Sequence, residues 1–183
     1  MSGEDSQGGE GRRRERLGGV IGALWLLAIA VALLLTAANL FLSEPNQDEG
    51  WYLYAARLVS EGKMPYIDFA STQGPVMPFA YVAAKPLVDG LGLTGGRLFT
   101  ALLGLACCFC TGWLAARLAA PGKGRLVGLL AFALVAVNVY QSHFFTIVKT
   151  YALTALLLTV GFLALAEAVR RRHLLACAVA GIL

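Results

Sequence analysis

Apolar residues fall in long, uninterrupted blocks along this chain, and the polar positions collect between them. A bilayer span needs about 20 predominantly apolar residues. Residues 17–42, 97–116, 126–142 and 150–169 meet or approach that length. At a rise of about 1.5 Å per residue the first block extends roughly 39 Å, enough to cross with tilt. A further block, 174–183, stops about halfway across. A membrane segment cannot end there without leaving backbone groups or a terminal carboxylate in lipid, so the sequence reads as the N-terminal part of a longer polytopic protein. The pattern predicts an all-α fold: a polytopic transmembrane helix bundle with these blocks as its spans.

The one long polar interval, residues 43–96, carries its own pattern. Over residues 46–62, Trp51, Tyr52, Ala55, Leu58 and Val59 recur at helical spacing, and Gly62 supplies a stop. Asn46 and Glu49 have the spacing of a capping box, and Asp48 and Glu49 both suit the positive end of the helix dipole. Pro65, Pro75 and Pro78 with Gly62 and Gly74 exclude a long helix in the next stretch. There Asp68, Ser71, Thr72 and Gln73 stand on stiff, irregular backbone. They suit either a binding loop or an ordinary turn with Asp68 in an Asx-turn. Residues 76–93 begin apolar but are interrupted by Lys85, Pro86 and Asp89, leaving a run too short to span. Amphipathic helices lying at the membrane interface are expected here.

Charge orients these elements. Arg12, Arg13, Arg14 and Arg16 precede the first block, Arg117, Lys123 and Arg125 follow the second, and Arg170, Arg171 and Arg172 follow the fourth. Basic residues favour the cytoplasmic side. The N-terminus is therefore expected in the cytoplasm, residues 43–96 outside, and the protein as a multi-pass component of the cell membrane. Residues 1–16, polar and Gly-rich, are expected to form a disordered cytoplasmic tail. Thr36, Ala37 and Ala38 offer small residues for signal cleavage, but the block is long for a signal peptide and further spans follow.

Composition agrees: 58% of residues are apolar and 14% charged, against about half and a quarter in soluble domains. The net charge of +4 comes from basic residues beside apolar blocks, with no basic stripe interleaved with aromatics, so no nucleic-acid partner is expected. Cys107, Cys108, Cys110 and Cys177 all lie inside apolar blocks, where neither zinc nor redox chemistry is favoured. They read as small apolar filler. His143 reads as a polar cap.

The outer interval between Ser43 and Leu93 holds six acids against three basic residues. Asp48 and Glu49 stand out because they lie within reach of lipid headgroups, although helix capping alone would also account for them. Lys85, Arg97 and Lys149 lie near the outer interface, where cations commonly snorkel to headgroups. Lys149, in a short turn without a local acid, is also a candidate for contacting a phosphate.

A carboxylate pair after the first span, then Ala55-Ala56-Arg57, then G-x-x-P-Y-x-D-F and Q-G-P-x-x-P-F, then G-G-R-L-F-T-A-L-L-G, form a recognisable series. It resembles the N-terminal part of polyprenyl-phosphate-dependent membrane glycosyltransferases, the group of protein O-mannosyltransferases and aminoarabinose transferases with the C-type glycosyltransferase fold. The resemblance covers roughly residues 17–172. It implies transfer of a sugar from a polyprenyl-phosphate donor to a hydroxyl of a glycan, lipid or protein acceptor at the outer membrane face. It implies Asp48 as general base, with Glu49 positioning the acceptor or a divalent metal ion, and Asp48 as a ligand should that metal be used. Substrate contacts are expected from Arg57, Asp68, Gln73, Lys85 and Lys149. The chain departs from the group where some relatives carry an acid early in the fourth span; here Lys149 stands in that region.

The chemistry is coherent with such a site. A hydroxyl nucleophile must lose its proton in the transition state, and a carboxylate can take it. The leaving phosphate needs a cation more than an acid. Two other classes remain open. A membrane transporter subunit would usually hold its ionisable groups near the midplane, whereas these lie at the span ends. A non-catalytic membrane scaffold would tolerate loss of Asp48.

Overall fold

The computed structural model describes residues 4–171, 178 and 181–182, and among them it is all-α, with no strand. Three helices are long and apolar enough to cross a membrane: Glu15–Leu42, Leu93–Leu118 and Thr150–Arg170. The chain is a membrane protein by the length and composition of these helices. Leu26 and Leu34 on the first and Phe162 on the third stay more than half exposed, as suits surfaces solvated by lipid rather than water.

The first helix, α1, runs Glu4–Leu42, so helix takes in most of the segment expected as a disordered tail. Glu and Arg are good helix formers, and extending an existing helix adds one hydrogen bond per residue fixed. After a short break comes α2, Gln47–Ser60, at the expected place. Its start is a capping box: the Asn46 side chain accepts from Asp48 N at 3.0 Å, and Glu49 Oε1 accepts from Asn46 N at 2.8 Å. Its end is a Schellman motif, with Gly62 at φ 85°, Gly62 N donating to Val59 O and Lys63 N to Leu58 O.

The interval expected to lie at the interface forms α3 (Val76–Tyr81), a 3-10 turn (Val82–Ala84) and α4 (Lys85–Leu91). Pro86 is accommodated in the first turn of α4, where its missing N–H costs nothing. Gly92 then turns the chain into α5, Leu93–Leu118.

The expected span 126–142 is instead two helices. α6, Gly124–Ala136, has 13 residues and rises only about 20 Å. Asn138 then ends the run and caps α7, Val139–Phe144, accepting from Gln141 N at 3.1 Å. A side chain that prefers the N-cap position stops a helix that hydropathy alone would continue. α7 docks on the end of α1, where Asn39 Nδ2 donates to Ser142 Oγ at 2.9 Å. The last described helix, α8, is Thr150–Arg171. Of the expected block 174–183 only residues 178, 181 and 182 are described.

α5 is the hub, packed against both α6 and α8. Its crossing with α6 depends on Gly112 and Gly128. A Cβ on Gly128 would lie 2.9 Å from Gly112 O, and one on Gly112 would lie 3.0 Å from Gly128 O. Close backbone approach of this kind is how membrane helices gain contact without a hydrophobic drive between them. Around it pack Ala28, Cys107, Cys108, Phe132 and Phe145, with the Trp25 and Phe109 rings 5.2 and 4.9 Å from Phe132. Cys107 and Cys108 are buried and unpaired; Cys177 lies outside the described residues.

A second cluster clamps α2, α3 and α4 to the end of the bundle. Met77, Tyr81 and Ala84 pack on Ala56, Val148 and Leu153. The Tyr81 hydroxyl is 2.8 Å from Thr100 Oγ1, and its ring meets Phe99 edge-on at 5.2 Å.

Candidate functional site

The two carboxylates that open α2 have separate fates. Successive residues on a helix point about 100° apart. Asp48 and Glu49 therefore cannot face the same surroundings.

Glu49 turns inward and is fully buried. Arg97, from the second turn of α5, meets it with two donors: Nε to Oε2 at 2.9 Å and Nη2 to Oε1 at 2.6 Å. Val148 N donates to Oε2 at 2.9 Å, and Asn46 N completes the set at Oε1. Arg97, itself 4% exposed, spends further donors on Ser43 O and Glu44 O at 3.0 and 2.9 Å. One ion pair thus ties the exit of α1, the start of α2, the start of α5 and the turn before α8. Burial opposes ionisation of Glu49, yet the hydrogen bonds from Arg97, Val148 N and Asn46 N outweigh it and hold the carboxyl below its ordinary pKa.

Asp48 turns outward. Its side chain is 50% exposed, and Lys149 Nζ lies 2.9 Å from Oδ2 with the lysine 17% exposed. Hydrogen bonding to Asp48 raises the Lys149 pKa, so the lysine stays charged. Tyr52, one turn on, is raised by partial burial and then by the Asp48 charge. Residues 48 and 49 thus interlock with residues 148 and 149: Glu49 takes the backbone of Val148, and Asp48 takes the side chain of Lys149.

These positions change the reading of several expected site residues. Glu49 has no free lone pair to offer an acceptor hydroxyl or a metal; it is an anchor, not a catalytic group. Lys149 does have an acid beside it, one that chain order concealed because Asp48 lies about 100 positions away. A divalent ion does not fit at Asp48. Its neighbour is a cation, Glu49 faces away, and among the described residues no three His, Cys, Asp or Glu side chains converge. His143 meets Ser43 Oγ at 3.4 Å and the Phe144 ring.

The remaining expected contacts do not join Asp48. Arg57 and Lys85 line one cleft of about 600 Å³ between α2 and α4, over a floor that includes Leu53, Tyr81 and Val88. Each is paired on its own helix, Arg57 with Glu61 at 2.9 Å and Lys85 with Asp89 at 2.5 Å. Asp68 closes its own turn by accepting from Met64 N at 2.7 Å. The bond runs four residues back, not two on as in the expected Asx-turn, and Tyr66 within the turn has a left-handed φ of 67°. Gln73 offers its backbone carbonyl to Ser71 and to the Tyr66 hydroxyl. It also borders a groove of about 310 Å³ against Thr150, Leu153 and Thr154 of α8.

Sequence reasoning placed Arg97 only as a cation near the interface. Its signal was present: a lone arginine at the head of an apolar block demands a partner. Compared with protein-family models, curated proteins and solved structures, the chain matches none.

Proposed function

We propose that this protein is a membrane glycosyltransferase that moves a sugar from a polyprenyl-phosphate donor to an acceptor hydroxyl at the outer face, with Asp48 as general base. The observation that carries the reading is the division of labour within the carboxylate pair. Glu49 is consumed by Arg97 and two backbone amides, while Asp48 remains half exposed at the same end of the bundle. The Asp48 carboxylate takes no part in the capping box, which the side chains of Asn46 and Glu49 complete.

Lys149 gives the reading its second part. It sits against Asp48, which favours its charged form. A donor phosphate arriving there would compete for the ammonium, leaving Asp48 able to take the proton of an acceptor hydroxyl. The same lysine would then stabilise charge developing on the departing phosphate. A donor with a long apolar tail suits a site at a bilayer surface. The transporter reading is weaker, because the stretches 17–42, 98–116 and 126–148 and the first 17 residues of α8 hold no charged side chain. The scaffold reading draws on the same Asp48–Lys149 pair, whose charges satisfy each other.

The test is Asp48→Asn, which keeps the size and leaves the Asn46–Glu49 capping box untouched but removes basicity. Turnover with a polyprenyl-phosphate sugar should fall by about two to four orders of magnitude, with the thermal midpoint nearly unchanged. Near-normal turnover would end the catalytic reading and leave the pair as a structural tie.

A further inference from the structure

The end of the bundle opposite Asp48 has its own chemistry. Here α5 finishes and α8 approaches its last turn. Between Asp89 and the last residue, Glu167 is the only acid in the sequence. Arg117 at the end of α5, Lys123 and Arg125 at the start of α6 and Arg170 in the last turn of α8 make this end strongly basic.

A groove of about 590 Å³ lies between the two helices, bordered by Trp113, Arg117, Leu163, Ala166, Glu167 and Arg170. The Arg117 guanidinium lies over the Trp113 ring, 5.3 Å from its centroid. Glu167 holds both arginines together: Arg170 donates to it at 2.7 and 3.1 Å, and Arg117 at 3.5 Å. One carboxylate between two guanidiniums leaves a net positive charge. A guanidinium has five N–H donors; among the described residues, one from Arg117 and two from Arg170 point at Glu167. Trp113 is itself 54% exposed, in the amphipathic role that tryptophan takes at membrane–water boundaries.

We propose that this groove binds an anionic phospholipid. The phosphate sits between Arg117 and Arg170, and one acyl chain lies along Leu163, Ala166 and Trp113. The occupant follows from three features that coincide. The rim is cationic and rich in fork-shaped donors suited to phosphate. The wall below it is apolar, so a soluble phosphate would leave it unused. The groove lies between spanning helices at their basic end, a placement that favours acidic headgroups. Glu167 sets the arginines side by side and disfavours a second anion, so one headgroup fits. The site stands apart from Asp48 and does not depend on the transferase reading.

Trp113 is a built-in reporter. With Trp25→Phe and Trp51→Phe it becomes the only tryptophan of the described chain. The protein is placed in phosphatidylcholine vesicles doped with equal fractions of either brominated phosphatidylglycerol or brominated phosphatidylcholine. Bromine quenches indole on contact. Quenching of Trp113 should be clearly stronger with the phosphatidylglycerol and should weaken at high salt. Arg117→Gln should lower the apparent preference roughly fivefold, as expected for one cation at a membrane surface. Arg57→Gln, at the other end, should leave it unchanged. The lipid comparison in the arginine-intact protein stands even if Arg117→Gln fails to fold. Equal quenching by the two lipids would overturn the proposal. So would no quenching by either, which would mean that protein covers the groove. Displacement of the brominated phosphatidylglycerol by millimolar inorganic phosphate would also overturn it, since a free anion would then be the ligand.

Discussion

Replacing Glu49 by glutamine removes one charge from the point where four segments meet. The local geometry says why this cannot be absorbed. Each carboxylate oxygen receives two donors: Oε1 from Asn46 N and Arg97 Nη2, Oε2 from Arg97 Nε and Val148 N. Whichever oxygen becomes an amide NH2, it faces two N–H groups instead of accepting from them. Arg97 then stays buried without a counter-charge. Breaking a buried pair from one side costs about 3–5 kcal/mol. A chain of this size loses about 2–4 °C of midpoint per kcal/mol, so the thermal midpoint in detergent should fall by roughly 6–20 °C. Adding Arg97→Met to Glu49→Gln should recover part of that loss, because it removes the uncompensated buried charge, although the amide still faces one backbone N–H. A midpoint within about 2 °C of the parent for Glu49→Gln would refute the reasoning. So would a double variant no better than the single one.

The same pair sets an acid limit. The folded Glu49 pKa lies below its unfolded value, so the folded state favours the ionised form. Its contribution is complete above the unfolded value of about 4.3. It declines below that and is lost as pH falls through the folded value. Melting followed from pH 7 to pH 3 should therefore show a loss concentrated at the acid end, and Glu49→Gln should flatten it. An unchanged acid slope in the variant would assign that loss to other carboxylates.

Lys149→Gln breaks a half-exposed pair that adds little stability, so the midpoint should barely move, while KM for a lipid-phosphate donor should rise at least tenfold if the lysine meets the phosphate. An unchanged KM would remove it from donor contact. Gly128→Ala forces a Cβ onto Gly112 O at 2.9 Å, and overpacking of this kind costs about 1–3 kcal/mol. A variant melting like the parent would disprove the close crossing of α5 and α6.

What could be read from the sequence was what neighbours in the chain decide. α2 lies where its cap and stop residues put it, because Asn46, Glu49 and Gly62 act within five positions of their partners. The long blocks α1, α5 and α8 were legible because hydropathy sums over many residues. The break at Asn138 was not, since one polar residue barely changes the mean of an apolar block, yet its side chain captures the amide of Gln141 and restarts the helix. At the beginning of α1, polar composition suggested a tail, while the described helix starts at Glu4, as helix propagating from the membrane block would.

The carboxylate pair marks the boundary of such reading. In the sequence Asp48 and Glu49 are near equivalents, both acidic, both in a first turn, both able to cap. What separates them comes from Arg97, 48 positions later, and from Val148 and Lys149, about 100 positions later. A local pattern could identify the pair but could not choose between its members. Once Glu49 is fixed, the direction of Asp48 is fixed as well, because the helix leaves no independent rotation between adjacent residues. A functional role for Asp48 therefore rests on an arginine that never approaches it. Arg97→Met should disturb Asp48 chemistry by loosening α2, whereas Lys149→Gln should disturb it by changing charge alone. Turnover that recovers on cooling in the first variant but not in the second would separate position from electrostatics.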